Sequence, residues 1–248
     1  MEVTMLKMIL RLSLLLILPT TTVLAQTFEK DLIRTASGDL EISFIGHGTL
    51  MLVYAGNTIY IDPYSKLADY SKLPKADLIL LTHEHRDHLD LQAISAIRTS
   101  ETEFVVNSSC GEKLNLQRFL KNGESTTAFG INIEATPAYN LVHMRDNGQP
   151  FHPKGVGNGY ILTIGGKRLY VAGDTENIPE MEILQDIDIA FLPMNLPYTM
   201  TPEMVADAAK AFRPKVLYPY HYGKTDPSLL RELLKKFPEI EVRIRKMP

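Results

Sequence analysis

The sequence predicts an α+β domain made of two strand-rich halves, each carrying its own helices, and three observations support this. Short apolar runs recur through the chain, separated by Gly, Asn-Gly and Pro turn signals. Amphipathic stretches with capping residues follow these runs in both halves instead of forming one block. Setting aside an N-terminal leader leaves residues 26–248, a natural size for one layered domain with a large core.

The elements follow in order. Leu40–Ile45, Thr49–Tyr54 and Thr58–Ile61 read as strands of antiparallel hairpins, with Gly46-His47-Gly48 and Gly56-Asn57 as the turns. Asp77–Leu81 reads as a buried strand, and Asp90 caps a helix with Leu91, Ile94 and Ile97 on one side. Phe104–Val106 is the next strand. A helix with a Ser109/Glu112 capping box then runs to about Leu120, where Asn122-Gly123 stops it.

The second half supplies strands at Ile131–Thr136, Gly159–Ile164, Arg168–Ala172, Ile187–Leu192 and Val216–Pro219. Thr201 and Pro202 open a helix with Met204, Ala208 and Phe212 along one side. Another starts at Asp226-Pro227 and carries the stripe Leu230, Leu233, Leu234 and Phe237. Glu239–Arg245 alternates charge with apolar residues, as an edge strand with a charged outer face does. Tyr139–Gly159 has four glycines, two prolines and no periodicity, which marks a functional loop.

Lys7, Arg11, the apolar run Leu12–Leu18 and the small-residue end Val23-Leu24-Ala25 read as a signal peptide cleaved after Ala25. The run is shorter than the roughly 20 residues that span a bilayer. The expectation is a periplasmic or secreted protein with no stable membrane insertion once the leader is removed. The remainder holds 24 basic and 28 acidic residues, a formal charge of −4, which argues against nucleic-acid binding. Oligomeric state is not legible. Cys110 is the single cysteine, so no internal disulfide forms, and no histidine stands near it to activate a thiol.

Chemistry concentrates at Thr82–Asp90, where His83, His85 and His88, three of the seven histidines, share six residues with Asp87 just past a buried strand. Side chains at i and i+2 of a strand end project to the same side, so His83 and His85 can converge on one ion. Asp87 and His88 fall where a second could sit. Imidazole and carboxylate donors without thiolates suit zinc, iron or manganese in an open site.

His83, His85, Asp87 and His88 match in full the His-x-His-x-Asp-His motif of the metallo-β-lactamase superfamily, which the chain resembles from about residue 40 to 225. Gly173-Asp174-Thr175 matches its later Gly-Asp-Thr motif, and His221 in Tyr218–Gly223 its last histidine. Ile45-Gly-His-Gly48 and Ile61-Asp-Pro63 resemble the branch containing sugar-phosphate lactonases and N-acyl phosphatidylethanolamine phospholipase D. The resemblance implies a four-layer αββα sandwich and one or two divalent ions, with zinc foremost. His83 and His85 would take the first ion, Asp87, His88 and His221 the second, and Asp174 would bridge.

It also implies a metal-dependent hydrolase with a metal-bound hydroxide as nucleophile, oriented by Asp87 as catalytic residue. The bond is a phosphodiester, lactone or amide of a small substrate, which Lys154 would suit to an anion and Tyr198 and Met200 would help to line. His47 and Asp62 are expected behind the ligands, with Asp62 orienting a histidine through its other ring nitrogen. One departure stands out: the branch's Pro-Ala-x-His reads Pro137-Ala138-Tyr139-Asn140 here. Asn140 offers only an amide oxygen, so His143 or His152 would have to supply the nitrogen, or Asn140 would contact substrate. A non-catalytic binding module is therefore an alternative. So is an iron redox protein, though the flavodiiron motif His-x-Glu-x-Asp has Glu where this chain has His85.

Overall fold

Apolar side chains on both faces of the central strands dictate a layered molecule. The computed structural model describes residues 26–248, and the signal-peptide expectation lies outside the described residues. The first half opens with β1 (Glu29–Thr35), β2 (Gly38–Gly46), β3 (Thr49–Tyr54) and β4 (Asn57–Ile61), all antiparallel. Ala55 and Gly56 both have positive φ, the backbone that a two-residue hairpin loop between right-twisted strands requires. β5 (Leu78–Leu81) and β6 (Glu103–Val106) then add parallel to β4, with α1 (Leu91–Ile97) crossing between them. A short α2 (Ser108–Lys113) closes this half.

The second half repeats the plan. β7 (Ser125–Ala128), β8 (Ile131–Ala138), β9 (Gly157–Ile164) and β10 (Lys167–Val171) are antiparallel. β11 (Ile189–Pro193), β12 (Val216–Tyr220) and β13 (Glu241–Val242) continue in parallel, with α3 (Pro202–Phe212) and α4 (Leu229–Leu233) in the connections. The sheets have orders β1-β2-β3-β4-β5-β6 and β13-β12-β11-β10-β9-β8-β7.

Period-two alternation sorts the strands' side chains into three cores. Leu50, Leu52, Ile59 and Ile61 pack between the sheets against Leu162, Ile164 and Phe191. Their alternates Met51 and Tyr60 face outward and pack with Ala93, Ile94 and Ile97 of α1. On the far side, Ile161, Tyr170 and Leu192 meet Val205, Ala209 and Phe212 of α3. The result is the α/β/β/α layering that the sequence and its resemblance predict. Among the described residues no helix is long and apolar enough to cross a membrane.

Several local expectations are corrected. β1 and β7 were not legible, because both are edge strands with at most one buried residue and no buried stripe. α2 is capped by Asn107, whose side chain accepts from Cys110 N, and ends at Lys113 instead of about Leu120; Ser109 Oγ turns to Glu84. The C-terminal edge strand pairs only at Glu241–Val242. Met200, read as a pocket residue, is fully buried in the α3 core.

Candidate metal centre

The ligand-type residues cluster where the carboxyl ends of the parallel strands open, the usual ligand edge of such sheets. The His83–His88 segment leaves β5, Asp62 follows β4, Asp174 follows β10 and His221 follows β12. His47 sits in the β2–β3 turn and His152 in the β8–β9 loop. Two groups of ligand atoms result: His83, His85 and His152 form one, and His47, Asp87, His88 and His221 the other. Asp174 joins them, grouping with both His83 and His88.

Hydrogen bonds on the outer ring nitrogens fix which nitrogen of three histidines faces inward. Asp62 is buried, and its oxygens accept from Thr82 N at 2.8 Å, Thr82 Oγ1 at 2.6 Å and His88 Nδ1 at 2.8 Å. Thr82 Oγ1 has one proton and gives it to Asp62, so at 3.0 Å it must accept from His83 Nδ1. His152 Nδ1 donates to Asn140 Oδ1 at 2.6 Å. Each donation leaves Nε2 as the inward lone pair. The Nε2 atoms of His83, His88, His152 and His221 lie 3.9, 3.6, 3.3 and 3.6 Å from Asp174 Oδ2. His88 Nε2 and His221 Nε2 face each other at 3.1 Å.

Asp174 Oδ1 is buried and has no hydrogen-bond partner. An unpartnered buried carboxylate oxygen beside converging lone pairs is what a divalent cation satisfies, so the residues fit such ions. Gly48 makes room for this packing: a Cβ there would lie 2.9 Å from His88 Cε1.

The charges agree with that fit. Burial foremost, and then His88, push His83 well below the ordinary imidazole range; burial and His152 lower His85. Neutral imidazoles are the ligand form. Burial opposes the charge on Asp174, but His221 and His88 outweigh it and hold the carboxyl well below its usual range. For Asp87 burial is likewise outweighed, by His221 and His47. Burial works to lower His88, yet Asp174 and Asp62 raise it well above the ordinary value. A cation on Nε2 would displace that proton, so its binding weakens as pH falls.

His47, Asp62 and His221 have positive φ, a left-handed backbone that costs about 1–3 kcal/mol in a non-glycine residue. The surroundings pin each: His221 N donates to His47 O at 3.0 Å and Asp62 N to Leu80 O at 3.0 Å. His47 Nε2 lies 2.9 Å from Asp87 Oδ2, so it holds the carboxylate as well as joining its group.

The missing first-group nitrogen comes from His152. Asn140 cannot also be a ligand or meet substrate, because Oδ1 accepts from His152 N and Nδ1 while Nδ2 donates to Glu176 Oε1 and Tyr198 O. His143 is outside the groups, its Nδ1 2.7 Å from Glu176 Oε1. Lys154 is also corrected: its ammonium pairs with Glu180 at 2.8 Å and Tyr139 OH at 3.1 Å, apart from the ligands. Tyr198 does border the cleft over the site, its ring 5.0 Å from that of Phe151.

Three contributors carried no sequence signal strong enough to single them out. Thr82 sets the His83 tautomer. Arg145 reaches the cleft from the loop. Glu176, fully buried, accepts the backbone N–H groups of Leu141, Val142 and His143 and the amide of Asn140, so it clamps the loop that delivers His152. Its place two residues after Asp174 was the available hint.

The Beta-lactamase superfamily domain matches residues 41–221. A UPF0173 metal-dependent hydrolase of Ligilactobacillus salivarius is 33% identical over 199 residues, covering 76% of this chain and 87% of that protein. A crystal structure from Parabacteroides distasonis, described as a metal-dependent hydrolase, is 52% identical with a TM-score of 0.85, covering 90% of this chain and all of that one. Igni18, a metallo hydrolase of Ignicoccus hospitalis, is 27% identical with a TM-score of 0.69, covering 84% of this chain and 95% of that one.

Proposed function

The chain belongs to the metallo-β-lactamase superfamily, among its UPF0173 metal-dependent hydrolases, and we propose that it hydrolyses an ester-type bond, a phosphoester first, at a two-cation centre. The observation that carries this is the convergence of four imidazole Nε2 atoms on Asp174 Oδ2 beside its unpartnered Oδ1. His83, His85 and His152 would hold one cation and Asp87, His88 and His221 the other, with Asp174 between them. We propose zinc, which nitrogen and oxygen donors suit in an open site. When bound, such ions make water nucleophilic at neutral pH and draw charge from the bond being broken.

The protein's own groups do the rest. Asp87 is the more open of the two carboxylates that line the cleft, with 36% of its side chain exposed against 5% for Asp174. Held below the usual carboxylate range, it is a weak base, suited to orienting the attacking water by accepting its hydrogen bond. His47 fixes Asp87 Oδ2 and, 19% exposed itself, links it to solvent. The water oxygen bonds to the electrophilic atom, the ester bond breaks, and the leaving oxygen takes up the proton that the water gives up. Buried Asp174 stays anionic throughout. His152 completes the first group, which supports a two-cation reading over the one-ion and non-catalytic readings that rest on Asn140.

The test is a panel of bis(p-nitrophenyl) phosphate, a γ-lactone and a p-nitroanilide amide with zinc-loaded protein. Phosphodiester hydrolysis that stops on chelation and returns with zinc is the expected result. Hydrolysis indifferent to chelation, or none of any substrate with zinc bound, would sink the proposal.

A further inference from the structure

A cleft of about 410 Å³ opens over the ligands, walled by Arg86, Arg145, Phe151, Asn195 and Tyr198. Arg145 occupies a defined place. It stands in a small hairpin closed by the Met144–Pro150 bridge and by Arg145 N donating to Gln149 O at 2.7 Å. Its Nη2 donates to Phe151 O at 3.1 Å, and its guanidinium lies 5.1 Å from the centre of the Phe151 ring. The same Nη2 is 3.5 Å from His85 Nε2, which sets the positive charge beside the first ligand group.

Nothing neutralises it: among the described residues no carboxylate pairs with Arg145, and its Nε and Nη1 make no hydrogen bond. Lys154, by contrast, is spent on Glu180. A guanidinium anchored through Nη2 at the rim of a cleft keeps Nε and Nη1 to donate, and this remaining part of the fork can meet oxygens of an oxyanion. A carboxylate has two oxygens to share between Arg145 and the cation ligands. A phosphoryl group has three, so it can meet the guanidinium and still present oxygens to the cation ligands. Beside the fork, Phe151 and Tyr198 meet edge to face with an interplanar angle of 81°, and Tyr198 is 44% exposed. Half-open aromatic walls take a flat apolar group.

We propose that Arg145 is the specificity-determining residue that binds a phosphoryl oxyanion of the substrate, while Phe151 and Tyr198 hold a flat organic group attached to it. The substrate class is then a phosphoester with an aromatic or base-like moiety. This rests on the hydrolase reading above and deepens it.

Calorimetric binding of phenylphosphonate, which cannot be hydrolysed at its P–C bond, tests this without turnover, with methylphosphonate and benzoate as comparisons. Zinc-loaded protein should bind phenylphosphonate most tightly of the three. Arg145→Gln should weaken it by about tenfold or more, the size of a lost charge-assisted fork. Arg145→Lys should recover only part, because an ammonium keeps the charge and loses the fork. Tyr198→Ala should erase the preference for phenyl over methyl, all with zinc content unchanged. Wild-type affinity in Arg145→Gln, benzoate bound as strongly as phenylphosphonate, or no phenylphosphonate binding would overturn the proposal.

Hydrolysis of p-nitrophenyl acetate, a neutral ester, separates the two claims. Zinc-dependent turnover with phosphonate binding insensitive to Arg145 leaves the hydrolase reading and removes this inference. Arg145-dependent phosphonate binding without hydrolysis of any ester does the reverse.

Discussion

Asp174→Asn is expected to strip cations from the protein and to lower hydrolysis by about 10²–10⁴-fold, ~3–5 kcal/mol of barrier, because a neutral amide replaces the carboxylate that joins the two ligand groups. Four inward imidazole nitrogens look at Asp174 Oδ2 from 3.3–3.9 Å, and among the described residues no other carboxylate joins the two ligand groups. The variant keeps the shape and loses the charge. Thermal stability should respond unequally: the zinc-dependent rise in Tm should shrink sharply, while the metal-free protein should change less, since Asp174 Oδ1 has no partner to lose there. Melting both proteins with and without zinc checks this. An Asp174→Asn protein with the wild-type zinc response would contradict it.

The second large effect belongs to Asp62, which touches no proposed cation. Asp62→Ala leaves Thr82 N, Thr82 Oγ1 and His88 Nδ1 without their acceptor in a fully buried place, and should destabilise the fold by ~3–5 kcal/mol. Asp62→Asn is the more telling variant. One oxygen still receives Thr82 N, but an NH₂ group now faces His88 Nδ1, which must become the acceptor. The His88 proton then moves to Nε2 and points into the centre. The same NH₂ replaces the acceptor of Thr82 Oγ1, whose proton is then free for His83 Nδ1, so cation affinity of both groups should fall by about 10–100-fold with the fold retained. Zinc competition with a chromogenic chelator reads this directly, and two wild-type-like sites in Asp62→Asn would refute the tautomer argument.

What the sequence disclosed and what it hid follow from the range of the interactions involved. His83, His85, Asp87 and His88 were legible because a strand end fixes their directions over a few residues, and Asp62 because it follows a strand of the same sheet. The layering was legible because the central strands alternate between buried faces. β1 and β7 were not, since an edge strand is held by backbone pairing that leaves little apolar pattern. His152 was one of two loop histidines that the sequence offered for the role. What separates it from His143 is the Glu176 clamp, which acts across more than 30 residues and turns one ring inward and the other onto Glu176. Lys154 was chosen for its charge, and charge alone does not say that Glu180 already holds it. Arg145 looked like any polar loop residue until the hairpin and Phe151 placed it.

A two-cation centre in which His152 replaces the histidine absent at Asn140 is tested most directly by the count of bound ions per chain. Protein purified without chelator and analysed by elemental mass spectrometry should carry about two equivalents of zinc, iron or manganese, and His152→Ala about one, because the first group loses a nitrogen and the second keeps its own. Less than about a tenth of an equivalent in the unaltered chain, with no recovery on adding metal, would contradict the centre itself. An unchanged count in His152→Ala would contradict the role given to His152.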